Sequence, residues 1–217
     1  MSALVWDKSG ERYFEAGVDH GVLYVQKPDG TYNNGVVWNG LTAVTESPDG
    51  AEPNDLYADN IKYATLRSAE TFGATIEAYT YPEEFAECDG SYALADGVYV
   101  GQQARKPFGF SYRTMIGNDT SSDIDSAYKL HIVYNATVTP SEKNFETIND
   151  SPDAITMSWE VSTVPVPVTG KKPTATITID STKADATKLK TLEDTLYGTA
   201  NAEPTLPTPD EIADIFQ

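Results

Sequence analysis

Strict alternation of apolar and polar residues between positions 128 and 180 is the feature that most constrains the fold. Three runs carry it, at residues 129–138, 154–163 and 174–180. In the middle run Trp159 and the apolar residues on either side alternate with threonine, serine and glutamate. Successive side chains on a strand point to opposite faces, so each run predicts a strand with one buried and one solvated face. Strands of this kind are typical of an antiparallel sandwich and not of a parallel sheet covered by helices.

The surrounding sequence supports one mainly β domain. Further strands are predicted at residues 22–26, 36–44, 61–66, 72–80, 98–102 and 108–116. Short helices are predicted at residues 82–87, 185–197 and 210–216, from proline and acids in a first turn, leucines at helical spacing and a capping box. The predicted fold class is a mainly β, antiparallel β-sandwich or partial barrel with a short flanking helix and a helical C-terminal extension.

Breaks in this pattern suggest three segments in the chain. Residues 1–19 lack sustained periodicity and are interpreted as an N-terminal arm, residues 20–180 as the β-sandwich domain, and residues 181–217 as the helical extension. A chain of 217 residues can bury most of its surface as one such domain.

Charge is the main anomaly of the composition. The chain has 33 acidic and 15 basic residues, which gives a formal net charge of −18. That excess argues against tight nucleic-acid binding, because binding to phosphates requires basic side chains. The one cysteine, Cys88, cannot form an internal disulfide, and no apolar run resembles a signal peptide or a membrane span. These features predict a protein made and folded in a cytoplasm.

Residues 45–60 stand out as a long irregular loop with five acids, no base and two prolines. Loops of this length inside compact domains are uncommon and usually functional. We therefore expect residues 45–60 to form a contact surface. Residues 117–127 and 139–153 are predicted to form two further loops.

No catalytic, metal or cofactor site is predicted. His20 and His131 lie far apart in sequence, and His131 falls on a predicted solvent-facing position. Cys88 lacks the electropositive neighbours that would activate a thiol. Three acids, Asp119, Asp123 and Asp125, hint at calcium, but their spacing is not that of an EF-hand loop. The chain is therefore expected to be a non-enzyme without cofactors.

Four longer stretches carry a family resemblance. They read TESPDGAEPNDLYADNIKY, TFGATIEAYTYPEEFAECDGSY, GVYVGQQARKPFGFSYRT and NDSPDAITMSWEVSTVPV. Together they resemble the major tail proteins, or tail tube proteins, of bacteriophages with long non-contractile tails. The likeness covers most of residues 6–198 and contains no short catalytic signature.

The resemblance implies a tube-type β-sandwich whose copies form hexameric rings. Those rings would stack around a tape measure protein, end at tail terminator and distal tail proteins, and carry DNA through the lumen during ejection. The protein would then belong to the virion, assembled in the bacterial host cytoplasm, with no membrane partner. In this interpretation the contact loop joins subunits, and its candidate residues are Glu46, Asp49, Glu52, Asp55 and Asp59. Candidate lumen residues, chosen as polar strand positions, are Glu77, Tyr79, Thr156, Ser158, Glu160, Thr176 and Thr178.

Two other functions remain open at this point. A non-enzymatic surface or decoration module could bind a protein or glycan partner through exposed tyrosines. A hydrolase would have to rest on clusters of acids that have no recognisable catalytic setting.

Overall fold

The computed structural model describes residues 3–50, 52–120, 127–145, 147 and 153–217. In chain order its strands are β1 (Tyr13–Val25), β2 (Val36–Trp38), β3 (Leu41–Glu46), β4 (Asp49–Gly50), β5 (Pro53–Ala58), β6 (Ile61–Arg67), β7 (Glu70–Thr71), β8 (Gly73–Ala78), β9 (Tyr92–Ala95), β10 (Val98–Val100), β11 (Phe108–Asn118), β12 (Ala127–Val138), β13 (Met157–Thr163) and β14 (Thr176–Asp180). A 3-10 helix spans Glu83–Glu87, and two α-helices, α1 (Ala186–Tyr197) and α2 (Pro209–Phe216), follow the last strand.

Eight of these strands form one antiparallel sheet that folds over on itself. Its order is β2-β1-β11-β12-β13-β8-β3, with β14 also paired to β12. The first part of β12 pairs with β14 and its last residues pair with β13, so β12 belongs to both layers. We call β2, β1, β11, β14 and the first part of β12 the first layer, and the end of β12 with β13, β8 and β3 the second layer. The mainly β, antiparallel fold class is confirmed, and the described strands do not close into a barrel.

An aromatic core fills the space between the two layers. Trp38, Phe85 and Trp159 contact one another with ring centroids 4.4–5.6 Å apart. Phe85 comes from the 3-10 helix, which therefore plugs one side of the sandwich. Tilted and edge-to-face pairs of this kind add to the hydrophobic burial of each ring.

Helices α1 and α2 cover the outer face of the first layer. Leu189, Leu192 and Leu196 of α1 are buried against the sheet. The Tyr24 hydroxyl donates to the Leu196 carbonyl at 2.7 Å, and the Tyr134 hydroxyl donates to the Pro207 carbonyl at 2.9 Å. Central strands β1, β11 and β12 are consequently buried on both faces, as in the consecutive buried run from position 130 to 134.

This double burial corrects the prediction for residues 129–138. The sequence pattern placed all their apolar side chains on one face, but Leu130, Ile132 and Tyr134 face the helices. Ala136 and Val138 face the core between the layers. Asn135 has a φ of 47° and sits next to a register shift against β11, and such a bulge turns the following side chains to the other face.

Three further boundaries differ from the sequence analysis. Residues 13–19, assigned to an arm, pair with β11 as part of β1. The predicted strand 36–44 is broken into β2 and β3 at Gly40, whose φ of 79° suits glycine. Residues 154–156 precede β13, and Ile155 is exposed there instead of buried.

The two C-terminal helices confirm their predictions to within one residue. Gly198 follows α1 with a φ of 77°, and Thr208 and Glu211 form the predicted capping box of α2. The segment between the helices lies against the first layer. There the Leu206 side chain lies over Gly109, where an added Cβ would stand 2.2 Å from the Leu206 Cδ2 atom.

Candidate assembly surfaces

The predicted loop at residues 45–60 is in fact the first half of a long hairpin. β3 continues outward through β4 and β5, and β6 and β7 return to β8, with β5 pairing β6 and β4 pairing β7. Asp59 and Asn60 form the tip with φ values of 52° and 64°. Two consecutive residues with positive φ are typical of the type I′ turns that close tight hairpins. We call residues 49–71 the hairpin arm.

The hairpin arm has one polar and one apolar face. Asp55 accepts a hydrogen bond from Thr65 at 2.7 Å and forms an ion pair with Lys62 at 2.7 Å, so these three side chains share one face. Residues of the opposite face follow from the strand register. They are Leu56, Ala58, Ile61, Ala64 and Leu66, with Asn54 opposite Leu66 as the polar residue on this face.

That apolar face is uncovered in the single subunit. Leu56, Ile61 and Leu66 are exposed, and Leu66 keeps 56% of its accessible surface. Tyr57 and Tyr63 extend the exposed apolar surface of the same arm. Contiguous exposed apolar surface on a folded protein is typical of an interaction site.

Glu46 clamps the base of the arm to the first layer. Its carboxylate accepts a hydrogen bond from the Tyr112 hydroxyl at 2.7 Å and lies 3.5 Å from the His131 Nδ1 atom. The Tyr112 and His131 rings are stacked with centroids 4.7 Å apart. Burial, followed by the bond to Glu46, raises the pKa of Tyr112. Burial lowers the pKa of His131.

The predicted contact acids are therefore dispersed along the arm. Glu46 is bonded inside the subunit, Asp55 is paired across the arm, and Asp59 forms the tip. Asp49 lies in β4 and accepts a bond from the amide of Gly50, while Glu52 is exposed. That residues 45–60 form a contact surface stays a prediction, and the sequence analysis did not include the apolar residues of the returning strand β6.

The candidate lumen residues fall into two groups. Ser158 pairs with Glu77, and Glu160 pairs with Thr75, so these side chains share the outer face of the second layer. Thr156 precedes β13 on the same side of the chain, and Tyr79 follows β8. Thr176 and Thr178 lie instead on β14, in the first layer.

The edges of the two layers differ in accessibility. At the two ends of β14, the carbonyl of Ala175 and the amide of Ser181 form hydrogen bonds with β12. Because backbone groups alternate between the two sides of a strand, the amides and carbonyls of residues 176, 178 and 180 point away from β12. The Thr174 hydroxyl bonds both the amide and the carbonyl of Thr176, and the carbonyl of Asp180 is taken by the following turn. Within the described chain, Thr178 and the amide of Asp180 remain open on this edge. Among the described strands, β3 pairs with β8 alone and the three-residue β2 pairs with β1 alone.

Two more protrusions carry exposed apolar side chains. Residues 4–6, Leu-Val-Trp, are exposed, and Trp6 keeps 76% of its accessible surface. The hairpin of β9 and β10 exposes Leu94, Val98 and Tyr99. Together with the hairpin arm, these segments hold most of the large exposed apolar residues of the described chain.

No arrangement among the described residues resembles a metal site or an activated nucleophile. Those residues contain no cluster of three or more candidate metal ligands. Burial raises the pKa of Cys88 to about 12, which keeps the thiol protonated. His131 is buried, not solvent-facing as predicted, since α-helices and strands cover both faces of β12. Of the calcium candidates, Asp119 binds the Gly10 amide, and Asp123 and Asp125 lie outside the described residues.

The structure also bears on membranes. Within the described residues, neither α1 nor α2 has the length and apolar content needed to cross a lipid bilayer.

Comparison with known proteins gives a structural likeness but no sequence match. No protein-family model matches the chain, and no curated protein matches it. The solved structure of an extracellular contractile injection system, the PVC sheath–tube complex in the extended state, is similar over 81% of this chain and 93% of that chain. The identity is 13% and the TM-score is 0.31. At these values the likeness assigns neither a family nor a function.

Proposed function

We propose that the chain is the structural subunit of a phage tail tube. Its copies close into hexameric rings, the rings stack into a tube, and the tube is the conduit for DNA ejection into the host. The observation that carries this proposal is the hairpin arm, whose apolar face the subunit leaves uncovered.

A two-stranded ribbon is at best marginally stable in water without a partner. Within the described residues, the hairpin arm is held by its strand ladders, the two cross-strand bonds of Asp55, a bond from Thr71 to the Asp49 carbonyl, a tight turn and the clamp at Glu46. Burying Leu56, Ile61 and Leu66 against another copy would stabilise the contact by about 1.5–3 kcal/mol per side chain. The arm therefore gains most of its stability from assembly.

Ring closure needs a heterologous interface, in which one surface of a subunit meets a different surface of the next. The edge of β3 has no second strand partner in the described chain, whereas the edge of β14 is partly blocked. This asymmetry favours joining in one direction, with β3 receiving a neighbour. A sheet continued from copy to copy in this way can surround a lumen.

The polar face of the second layer suits the lining of that lumen. Glu77 and Glu160 place carboxylates there beside Ser158. Negative charge repels phosphate, so DNA could pass without binding tightly. The outer face of the first layer is excluded from this role because α1 and α2 cover it.

The further partners rest on the sequence resemblance. They are a tape measure protein inside the tube, a tail terminator and distal tail proteins at its ends, and DNA in transit. The subunit would be made and assembled in the bacterial host cytoplasm and act in the virion, without a cofactor.

Electron microscopy of the purified chain tests the proposal. We expect six-fold rings or tubes whose abundance rises with concentration. Isolated monomers that bind a glycan or a host protein would instead support a decoration module.

A matched variant tests the role of the arm. Replacing residues 52–68 with a short Gly/Ser linker removes both β5 and β6, whereas cutting only residues 45–60 would leave β6 unpaired and Glu46 lost. We expect a folded, soluble monomer that forms no tubes, by circular dichroism and sedimentation velocity. Tubes formed at the parent's concentration by this variant would contradict the proposed role of the arm.

A further inference from the structure

A groove at the base of the hairpin arm combines apolar walls with basic residues. Its volume is about 820 Å³. It runs between the end of the returning arm strand and the segment that leads into β14. The lining residues used below are Arg67, Ala69, Phe72, Pro165, Lys172 and Pro173.

The charge of this groove is unusual for the chain. Arg67 and Lys172 are exposed, and neither has an ion-pair partner in the part of the chain that the structure describes. Lys171 precedes Lys172 in sequence, and Glu70 is the acid on the lining. The lining holds two bases and one acid, which makes a local positive site on a chain with a net charge of −18. Such a site attracts an acidic segment, and every other copy of this chain is strongly acidic.

The segment at residues 4–7, Leu-Val-Trp-Asp, has the complementary chemistry, and we call it the hook. Leu4, Val5 and Trp6 are exposed and Asp7 follows them. An indole ring buries about 150–250 Å² when it enters a pocket. An arginine beside the ring adds a cation–π attraction. Asp7 lies 3.9 Å from the Arg12 Nε atom of its own copy and is followed by Lys8. On docking, its carboxylate would exchange that exposed partner for a base of the groove.

The hook and the groove lie at opposite ends of the first layer. Asp119 holds the hook at the end of β11, because it accepts a hydrogen bond from the Gly10 amide at 2.9 Å and pairs with Arg12 at 3.7 Å. The groove lies beside the start of β14, whose Thr176 pairs with Val133, and Val133 pairs with Phe110 near the start of β11. Eight residues separate position 110 from position 118, which is ~27 Å at the rise of an antiparallel strand. Within one copy the hook therefore lies far from the groove.

We infer that the hook of one copy binds the groove of the next copy along the tube axis. Trp6 enters between Phe72 and the two prolines, and Asp7 pairs with Arg67 or Lys172. Because the two surfaces sit at opposite ends of a subunit, the contact is heterologous and repeats head to tail from copy to copy. This inference rests on the proposed tube and names the segments that join its rings.

Disulfide trapping in assembled protein tests the contact directly. Val5→Cys chains are mixed with Ala69→Cys chains, assembled, and oxidised with copper phenanthroline. Native Cys88 has no exposed surface and serves as an inert background. We expect a cross-linked heterodimer as the main product, and several-fold less when Val5→Cys is mixed with Leu94→Cys, an exposed position on the β9–β10 hairpin. Equal yields in the two mixtures would overturn the inference, even if the tubes themselves form.

Peptide binding tests it without tubes. A fluorescent peptide of residues 3–9 is titrated into the full chain carrying Trp6→Ala, and binding is followed by anisotropy. We expect saturable binding that weakens at least tenfold with a Trp6→Ala peptide, or with Arg67→Glu and Lys172→Glu in the receptor chain. Binding that is insensitive to both changes, or no binding, sinks the inference. Specific binding without any tubes would instead retain the contact and count against the tube.

Discussion

The central strands and the hairpin arm stabilise themselves in opposite ways. Positions 130–134 of β12 are buried on both faces, between the aromatic core and the two helices. The arm is built of strands as regular as these, yet its apolar residues Leu56, Ile61 and Leu66 remain exposed. Regular strand pairing alone thus says little about where a strand obtains its stability. The central strands are covered by their own chain, and the apolar residues of the arm are not.

The largest expected change in the free energy of unfolding comes from a substitution in the aromatic core. Trp159 is completely buried and contacts Trp38 and Phe85. Trp159→Ala should lower the free energy of unfolding by about 3–5 kcal/mol, because it leaves a cavity in the core. Tyr63→Ala, on the arm, should change it by less than about 0.5 kcal/mol. Urea denaturation followed by circular dichroism measures both; similar losses would mean that the arm packs on its own subunit.

A smaller effect, on assembly and not on the stability of the monomer, is expected from a substitution in the arm. Leu66→Ala should leave the unfolding free energy of the monomer almost unchanged but weaken assembly. Losing about 1.5–3 kcal/mol of burial at the contact corresponds to ~10–100-fold in the concentration needed for assembly. Light scattering against concentration measures this. Thr65→Ala, on the polar face, is the matched control, and an equal shift for both would show that the apolar face is not the contact.

The hydrogen bond from Tyr112 to Glu46, which joins the base of the arm to the first layer, should contribute modestly to the free energy of unfolding. Tyr112→Phe removes the hydroxyl that donates to Glu46, which should cost about 1–2 kcal/mol. It should also speed hydrogen exchange at the base of the arm, where the Ser47 amide donates to the Gly73 carbonyl. Tyr57→Phe on the arm is the control. Unchanged exchange at Ser47 would show that the clamp does not order the arm.

The smallest effect concerns pH. Burial lowers the pKa of His131 in the folded chain, despite the facing carboxylates of Glu46 and Glu15, and Lys129 acts in the same direction as burial. The unfolded chain therefore binds this proton more tightly, with a pKa of about 6.5. Stability should be fully present above that pH and should fall as the pH drops through the folded-state pKa.

His131→Gln should flatten this dependence between about pH 5 and 6.5. Asp19 and Asp180, whose pKa values are lowered by Arg113 and by Thr182 with Lys183 respectively, should stay ionised through that window. Thermal melts at several pH values in both proteins measure the difference. A parent chain with no loss of stability between pH 6.5 and 5 would contradict the burial of a neutral imidazole.

The sequence pattern correctly predicted the features that depend on neighbouring residues. Alternation correctly placed Trp159 and Val161 inside, and capping residues located α2. It failed at β12, because a bulge at Asn135 inverts the faces and because helices from the end of the chain cover what looked like a solvated face. Burial of a strand on both faces depends on contacts with distant parts of the chain, so a local stretch of about ten residues cannot reveal it.

The candidate site shows the same limit. The arm was predicted as an irregular loop because the tip is Asp59-Asn60 and not the more familiar Asn-Gly or Asp-Gly. Read as a turn, that pair would have set Ala58 beside Ile61 and Tyr57 beside Lys62. Leu56 lies beside Ala64 only because a register shift follows, and the turn residues do not encode that shift. Glu46 looked like one loop acid among five, yet its partners, Tyr112 and His131, are 66 and 85 positions away along the chain.

The order in which the layers are synthesised has a consequence for folding. Every strand of the sheet precedes α1 and α2 in the chain, yet Tyr24 and Tyr134 find their hydrogen-bond partners only at Leu196 and Pro207. At roughly 5–20 residues per second, the ribosome completes the sheet on the order of seconds before it delivers α2. Until then one face of the sheet is bare. The apolar side chains that pack against Leu189, Leu192 and Leu196 in the finished subunit are therefore the last part of the sheet to be covered.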